Sequence, residues 1–226
     1  MIELYELTGT RAAHSFSPYC WRVRMALAHK GLSAKLIPWH FGEKKLPRGQ
    51  TRVPVLVDDG EVIADSGVIA QHLEDKYETG PSLFGGPAGE AHCRFIAAWT
   101  DTVLTPGLFP FVAPDMLAHV KPAAQAYFRE SREARLGMTL ERAGELRDSK
   151  LTAFRATLAP LRQAVEKQDY LGGEEPSYAD YIVFGSFQWA RLTTAYGILA
   201  TDDPLQPWLE RMLDLFDGYA RDAAGL

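Results

Sequence analysis

The apolar positions along the chain follow two regimes. Up to about residue 78, short strand-like runs alternate with helical spacing. Ile2–Leu7 reads as a strand and Pro18 to about Lys30 as a helix. Pro18 suits a first turn, where a missing N–H costs nothing, and Gly31 suits the position just past the end. Ala34–Pro38 and Val53–Val57 are further strand candidates, and Asp58-Asp59-Gly60 is a hairpin turn into a returning strand, Glu61–Ala64. Asp65-Ser66 then opens a helix to about Tyr77, with Ile69, Leu73 and Tyr77 on one face. The order β-α-β, a less defined segment, then β-β-α predicts an α/β sandwich of modest size.

After Gly80-Pro81 the pattern changes. A stretch rich in glycine and proline reaches Gly89, and from about Glu90 the spacing is helical almost throughout. The expected division is an α/β domain over 1–80, a linker over 81–89 and an all-helical domain over 90–226. Within the helical part, Phe109-Pro110-Phe111-Val112-Ala113-Pro114 predicts a break or kink. Residues 131–150 read as a charged helix with Gly137 as its weak point. Leu151, Phe154, Leu158, Leu161 and Val165 keep a helical period, and Pro160 is expected to bend that helix rather than end it. Ser177 and Asp180 form a capping-box pair ahead of a helix that is apolar on nearly every face and therefore buried. Leu205, Trp208, Leu209, Met212, Leu213 and Phe216 mark the core face of a last helix.

Composition narrows the function classes. The 226 residues are 46% hydrophobic and 23% charged, as in an ordinary globular protein. A net charge of −5 without a basic stripe argues against nucleic acid. No apolar stretch approaches the ~20 residues of a membrane span, and Met1-Ile2-Glu3-Leu4-Tyr5 lacks the features of a secretory signal. Cys20 and Cys93 do not suggest a disulfide framework. The expectation is a soluble, cytoplasmic protein. The six histidines show no metal-ligand spacing, so no metal is expected.

Three places carry candidate chemistry. Ser17 lies at a strand-to-helix turn, with its hydroxyl at the positive end of the helix; it can cap the helix or favour an anion such as a thiolate. Val53-Pro54 begins a strand, where proline requires an edge, an end or a bend. Asp65-Ser66 offers a hydroxyl and N–H groups at a helix start, which suits a zwitterion as well as it suits capping.

The Ser-Pro-x-Cys start of the first helix resembles glutathione transferases, as do Arg52-Val53-Pro54-Val55, Asp65-Ser66 and the Leu171-Gly172-Gly173…Ser177-x-Ala179-Asp180 string. The resemblance covers nearly the whole chain. It implies a thioredoxin-like N-terminal α/β domain that binds glutathione, followed by an all-α domain carrying the electrophile site, and it implies a homodimer. It assigns Ser17 to the glutathione sulfur, with Ser15 as the substitute donor. The backbone of Val53, beside a cis Pro54, pairs with the cysteinyl unit. Ser66 takes the γ-glutamyl carboxylate and Asp65 the ammonium. Arg52 is the first candidate for the glycyl carboxylate, with His40 and Lys44 behind it. Phe95, Trp99, Phe109, Phe111 and Tyr127 are the aromatic residues available to an apolar or aryl electrophile. Ser-Pro-Tyr-x-Trp-Arg, the segment Arg52–Glu61 and Asp214-Leu215-Phe216-Asp217-Gly218 are most similar to bacterial glutathione-dependent β-etherases and related fungal enzymes, which makes aryl-ether cleavage a candidate reaction. Two alternatives stay open: a glutathione-dependent isomerase of the maleylacetoacetate type, and a non-catalytic glutathione-binding protein. Ser17-x-x-Cys20 disfavours dithiol exchange, and Cys20 is expected to be buried and inert.

Overall fold

The computed structural model describes residues 1–11, 14–43 and 45–223. Its N-terminal part is a four-stranded sheet in the order β2-β1-β3-β4. Strand β1 (Ile2–Leu7) pairs in parallel with β2 (Ala34–Trp39) and antiparallel with β3 (Val55–Asp58), which pairs antiparallel with β4 (Glu61–Ala64). Leu4, opposite Leu36 and Leu56, is fully buried. Helix α1 (Pro18–His29) forms the crossover from β1 to β2, and α2 (Ser66–Lys76) follows β4. Arg24 of α1 grips Glu6 of β1 through Nε at 2.7 Å and Nη2 at 2.6 Å, and both residues are buried, so each charge is satisfied by the other.

The remainder is helical: α3 (Pro87–Trp99), α4 (Thr105–Met116), α5 (Pro122–Leu136), α6 (Leu140–Glu145), α7 (Arg147–Thr157), α8 (Ala159–Val165), α9 (Tyr178–Thr193) and α10 (Leu205–Gly218). Helix α3 begins earlier than expected because Pro87 occupies its first turn. The expected break at 109–114 does not occur. A π-turn over Thr100–Leu104 leads directly into α4, which continues through Pro110 and Pro114. Pro106, Pro110 and Pro114 are spaced four apart, so their missing N–H groups fall on one half-buried stripe while Leu108, Phe109, Phe111 and Val112 fill the core. Contrary to the sequence expectation, the helical run Pro87–His119 is long and apolar enough to cross a membrane by length and composition. Its buried side chains, Ile96, Leu104 and Leu108 among them, belong to the same core as α9. Pro160 also departs from expectation: the helix is interrupted at Leu158 (ψ −2°), and Pro160 sits in the first turn of α8. Gly137, at φ 68°, closes α5. Near the chain end the backbone leaves the helix at Leu215, with Phe216 and Asp217 in the left-handed region, so Phe216 does not extend the apolar face.

Helix α9 is the centre of the molecule. Every residue in it except Arg191 is buried. Its capping box forms as predicted. The Asp180 carboxylate also accepts from Leu171 N–H (2.7 Å), Gly172 N–H (3.0 Å) and the Trp208 indole (3.0 Å), which ties α9 to α10. At Gly185 a Cβ would lie 2.4 Å from the Pro18 carbonyl, so only glycine lets the head of α1 approach α9 this closely. Removing the Asp180 side chain strands several buried donors. Asp180→Ala is therefore expected to lower unfolding free energy by about 3 kcal/mol, against ~1 kcal/mol for Ser177→Ala, in urea titrations of the two variants. Equal effects would show that the wider network adds nothing to the cap.

Candidate functional site

The site is assembled from loop ends and helix starts around β3 and β4. The Val53–Pro54 peptide is cis. Asp65 has φ 77° and ψ 131°, a region that side-chain-bearing residues rarely occupy. Its Oδ1 accepts from Gly67 N–H at 2.8 Å and Val68 N–H at 3.2 Å, and its carbonyl accepts from Ile69 N–H. Of the first N–H groups of α2, the one these contacts do not use is that of Ser66, whose carbonyl in turn accepts the Tyr178 hydroxyl at 2.7 Å.

A cavity of about 440 Å³ is lined by Tyr19, Gln50, Arg52, Val53, Pro54, Ala64, Asp65, Ser66 and Asp101. A smaller recess of about 90 Å³ shares Tyr19, Asp65, Ser66 and Asp101 with it and adds Arg22 and Tyr178. Two carboxylates, one guanidinium, an amide side chain and a helix N-terminus therefore converge on one space. Arg22, 2% exposed, reaches Asp101 of the π-turn with Nη2 at 2.6 Å and lies 4.5 Å from the Tyr19 ring centroid. Burial and the neighbouring Asp101 carboxylate hold the Tyr19 phenol above its ordinary pKa, against the opposing charges of Arg22 and Arg135.

The structure thus gathers Arg52, Val53, Pro54, Asp65 and Ser66 at one cavity. It does not place Ser17, Ser15 or His40 on that lining. Ser17 (φ −101°, ψ 126°) is the N-cap of α1; its Oγ accepts from Cys20 N–H at 3.3 Å, and it is 5% exposed. The cavity reaches the head of α1 through Tyr19, two residues on. Ser15 is buried, bridges to Thr8 and has a hydroxyl without a partner among the described residues. His40 is held at the end of β1, with Nδ1 3.1 Å from the Thr8 carbonyl. Lys44 lies outside the described residues. Of the aromatic candidates, Phe111 packs on Phe154 and Tyr196 in the helical core, whereas Phe95 and Tyr127 are exposed.

Sequence reasoning missed Gln50 and Asp101 and gave Tyr19 and Arg22 no role. For Asp101 a signal existed, an acid inside the apolar run Phe95–Val103. Gln50 carries none, because it reaches the cavity only through the short turn over Pro47–Gly49. Cys20 is fully buried, and burial pushes its thiol up to about 12. Native protein is therefore expected to resist iodoacetamide at Cys20 at pH values near 8, and urea-unfolded protein to label fully, in peptide mass mapping. Rapid native labelling would show an accessible thiolate beside Ser17.

Comparison with known proteins bears on this arrangement. A family model described as the glutathione S-transferase N-terminal domain matches residues 13–82, and one described as the glutathione S-transferase C-terminal domain matches residues 91–213. Glutathione S-transferase U2 of Arabidopsis thaliana is 27% identical over 211 residues, covering 87% of this chain and 78% of its own. A maleylacetoacetate isomerase of Pseudomonas aeruginosa is 38% identical over 88 residues, but covers only 34% of this chain and 42% of its own. Among solved structures, a glutathione S-transferase of Ceriporiopsis subvermispora in complex with glutathione superposes with a TM-score of 0.74 at 23% identity, covering 98% of this chain and 94% of that one.

Proposed function

Because the chain belongs to the glutathione S-transferase superfamily, we propose that it binds glutathione in the cavity between Val53-Pro54 and Asp65-Ser66 and activates its thiol for attack on an apolar or aryl electrophile. The observation that carries this reading is the convergence of Arg52, the Val53–Pro54 corner and the Ser66 N–H on one cavity with the first turn of α1. The γ-glutamyl carboxylate fits the Ser66 hydroxyl and N–H at the positive end of α2. The ammonium fits the Asp65 oxygen not used in capping, with Asp101 close by. Arg52, seconded by Gln50, is the partner for the glycyl carboxylate.

A tripeptide so held directs its sulfur toward the head of α1. The Cys20 N–H occupies a lone pair of Ser17 Oγ and leaves the hydroxyl proton to donate to a thiolate. A free thiol has a pKa near 8.5, and lowering it by about two units requires roughly 2.7 kcal/mol of preferential stabilisation of the anion. One charge-assisted hydrogen bond together with the helix terminus is of that order. The thiolate then forms the new C–S bond as the leaving group departs with its electron pair. In the ether-cleaving version the leaving group is a phenoxide, which takes up the proton lost by the thiol.

We assign the helical part the electrophile, and propose a homodimer in the cytoplasm. A second reading, glutathione-dependent isomerisation of a maleyl-type substrate, is favoured by the local likeness to the bacterial isomerase. Assays with aryl ethers, aryl halides and maleyl isomers separate the two by product.

Ser17→Ala is expected to lower turnover at least tenfold, about 1.4 kcal/mol in the barrier, while glutathione affinity by calorimetry stays within about twofold. Unchanged turnover would remove Ser17 from the chemistry. Loss confined to Ser15→Ala would transfer the role to that residue.

A further inference from the structure

Helix α5 presents two arginines one turn apart, Arg132 and Arg135, toward the side of the molecule where α1 begins. The Arg132 guanidinium lies against a pair of rings that pack on each other, 4.8 Å from the centroid of Phe41 and 4.8 Å from that of Phe128, the two centroids being 5.4 Å apart. Arg135 lies 4.1 Å over Phe109. Phe41 in turn contacts Phe16, which directly precedes Ser17, with ring centroids 6.4 Å apart. The Arg135 charge acts on Tyr19, which lines the glutathione cavity.

Neither of these two arginines is paired with an acid among the described residues, unlike their neighbour on the helix. Arg129, on the same helix, is paired with Glu133 and Glu141. Among the described residues Arg132 donates only to the Ser131 hydroxyl, at 3.0 Å, and Arg135 has no carboxylate partner. Asp101, on the cavity side, is already held by Arg22 at 2.6 Å. Burial and the neighbouring Arg135 charge both lower the Arg132 pKa. Two like charges set on aromatic faces, next to a reaction site and without a counter-ion, are relieved by an incoming anion.

We propose that the second substrate is an anionic aromatic compound, with its carboxylate or phenolate on Arg132 and Arg135 and its ring beside the partly buried Phe41. This rests on the transferase reading and names the substrate class within it. A guanidinium lying on a ring keeps its N–H edge free for bidentate contact with a carboxylate, so one residue can meet both halves of such a substrate.

The test compares a neutral chlorodinitrobenzene with the corresponding chlorodinitrobenzoate. In both, the thiolate forms a C–S bond and chloride leaves with the C–Cl electron pair. The wild-type kcat/KM is expected to favour the benzoate about tenfold, and that ratio is expected to collapse in R132M/R135M and to be partly retained in R132K/R135K. Should the double variant fail to fold, R135Q, at an exposed position, is expected to lower the ratio roughly threefold. A wild-type ratio near one, or a ratio that survives these substitutions, overturns the inference while leaving the transferase reading in place. If neither chloride reacts, calorimetric titration with unreactive dinitrobenzoate decides. Binding that weakens in R132M/R135M upholds the anion site and counts against the transferase reading alone; absent or arginine-independent binding overturns the anion site.

Discussion

The packing of α9 is the constraint on which the rest of the structure depends. This one buried helix contacts the starts of both helices that frame the cavity. Gly185 admits the Pro18 carbonyl at the head of α1, and Tyr178 donates its hydroxyl to the Ser66 carbonyl at the head of α2. At its far end the Leu192 carbonyl accepts His14 Nε2 at 2.6 Å, which anchors the segment leading to Ser17. The spacing between the two helix N-termini is therefore set by a densely packed interior rather than by loops, and such interiors resist displacement. Asp180, which fixes where α9 starts, acts on the site only through this geometry.

The charges around the cavity follow from the same framework. Arg22 is carried on the buried face of α1 and finds its counter-charge on the π-turn that precedes α4. That contact brings Asp101 of the helical part beside Asp65 of the sheet part. A zwitterionic peptide bound as proposed would meet acids on one side and Arg52 with a helix N-terminus on the other. The unusual backbone of Asp65 lets one carboxylate oxygen cap α2 while the other remains for a ligand.

Much of this was legible in the sequence because local rules and tertiary packing agree. The hairpin at Asp58-Asp59-Gly60, the capping box at Ser177 and the helix start at Pro18 each follow from residues within a few positions of one another. The path of α4 was not legible, since three prolines on one stripe read as a break until burial shows that the opposite face supplies the core. Asp101 and Gln50 were missed for a related reason: each reaches the cavity through an approach of distant segments that no local pattern encodes. The aromatic candidates divide by burial: Phe109, under Arg135 and against Trp189, and Phe111, against Phe154 and Tyr196, lie in the core, while Phe95 and Tyr127 are exposed.

The central claim is that a hydroxyl at the head of α1 and the amide-rich start of α2 hold one glutathione between them, with its sulfur at the former. Titrating the bound thiol by the ultraviolet absorbance of its thiolate tests this most directly. The account predicts an apparent pKa about two units below that of the free thiol in the wild-type complex, returning toward the free value in Ser17→Ala. An unshifted thiol in the wild-type complex, or a shift that survives Ser17→Ala and Ser15→Ala together, would contradict it.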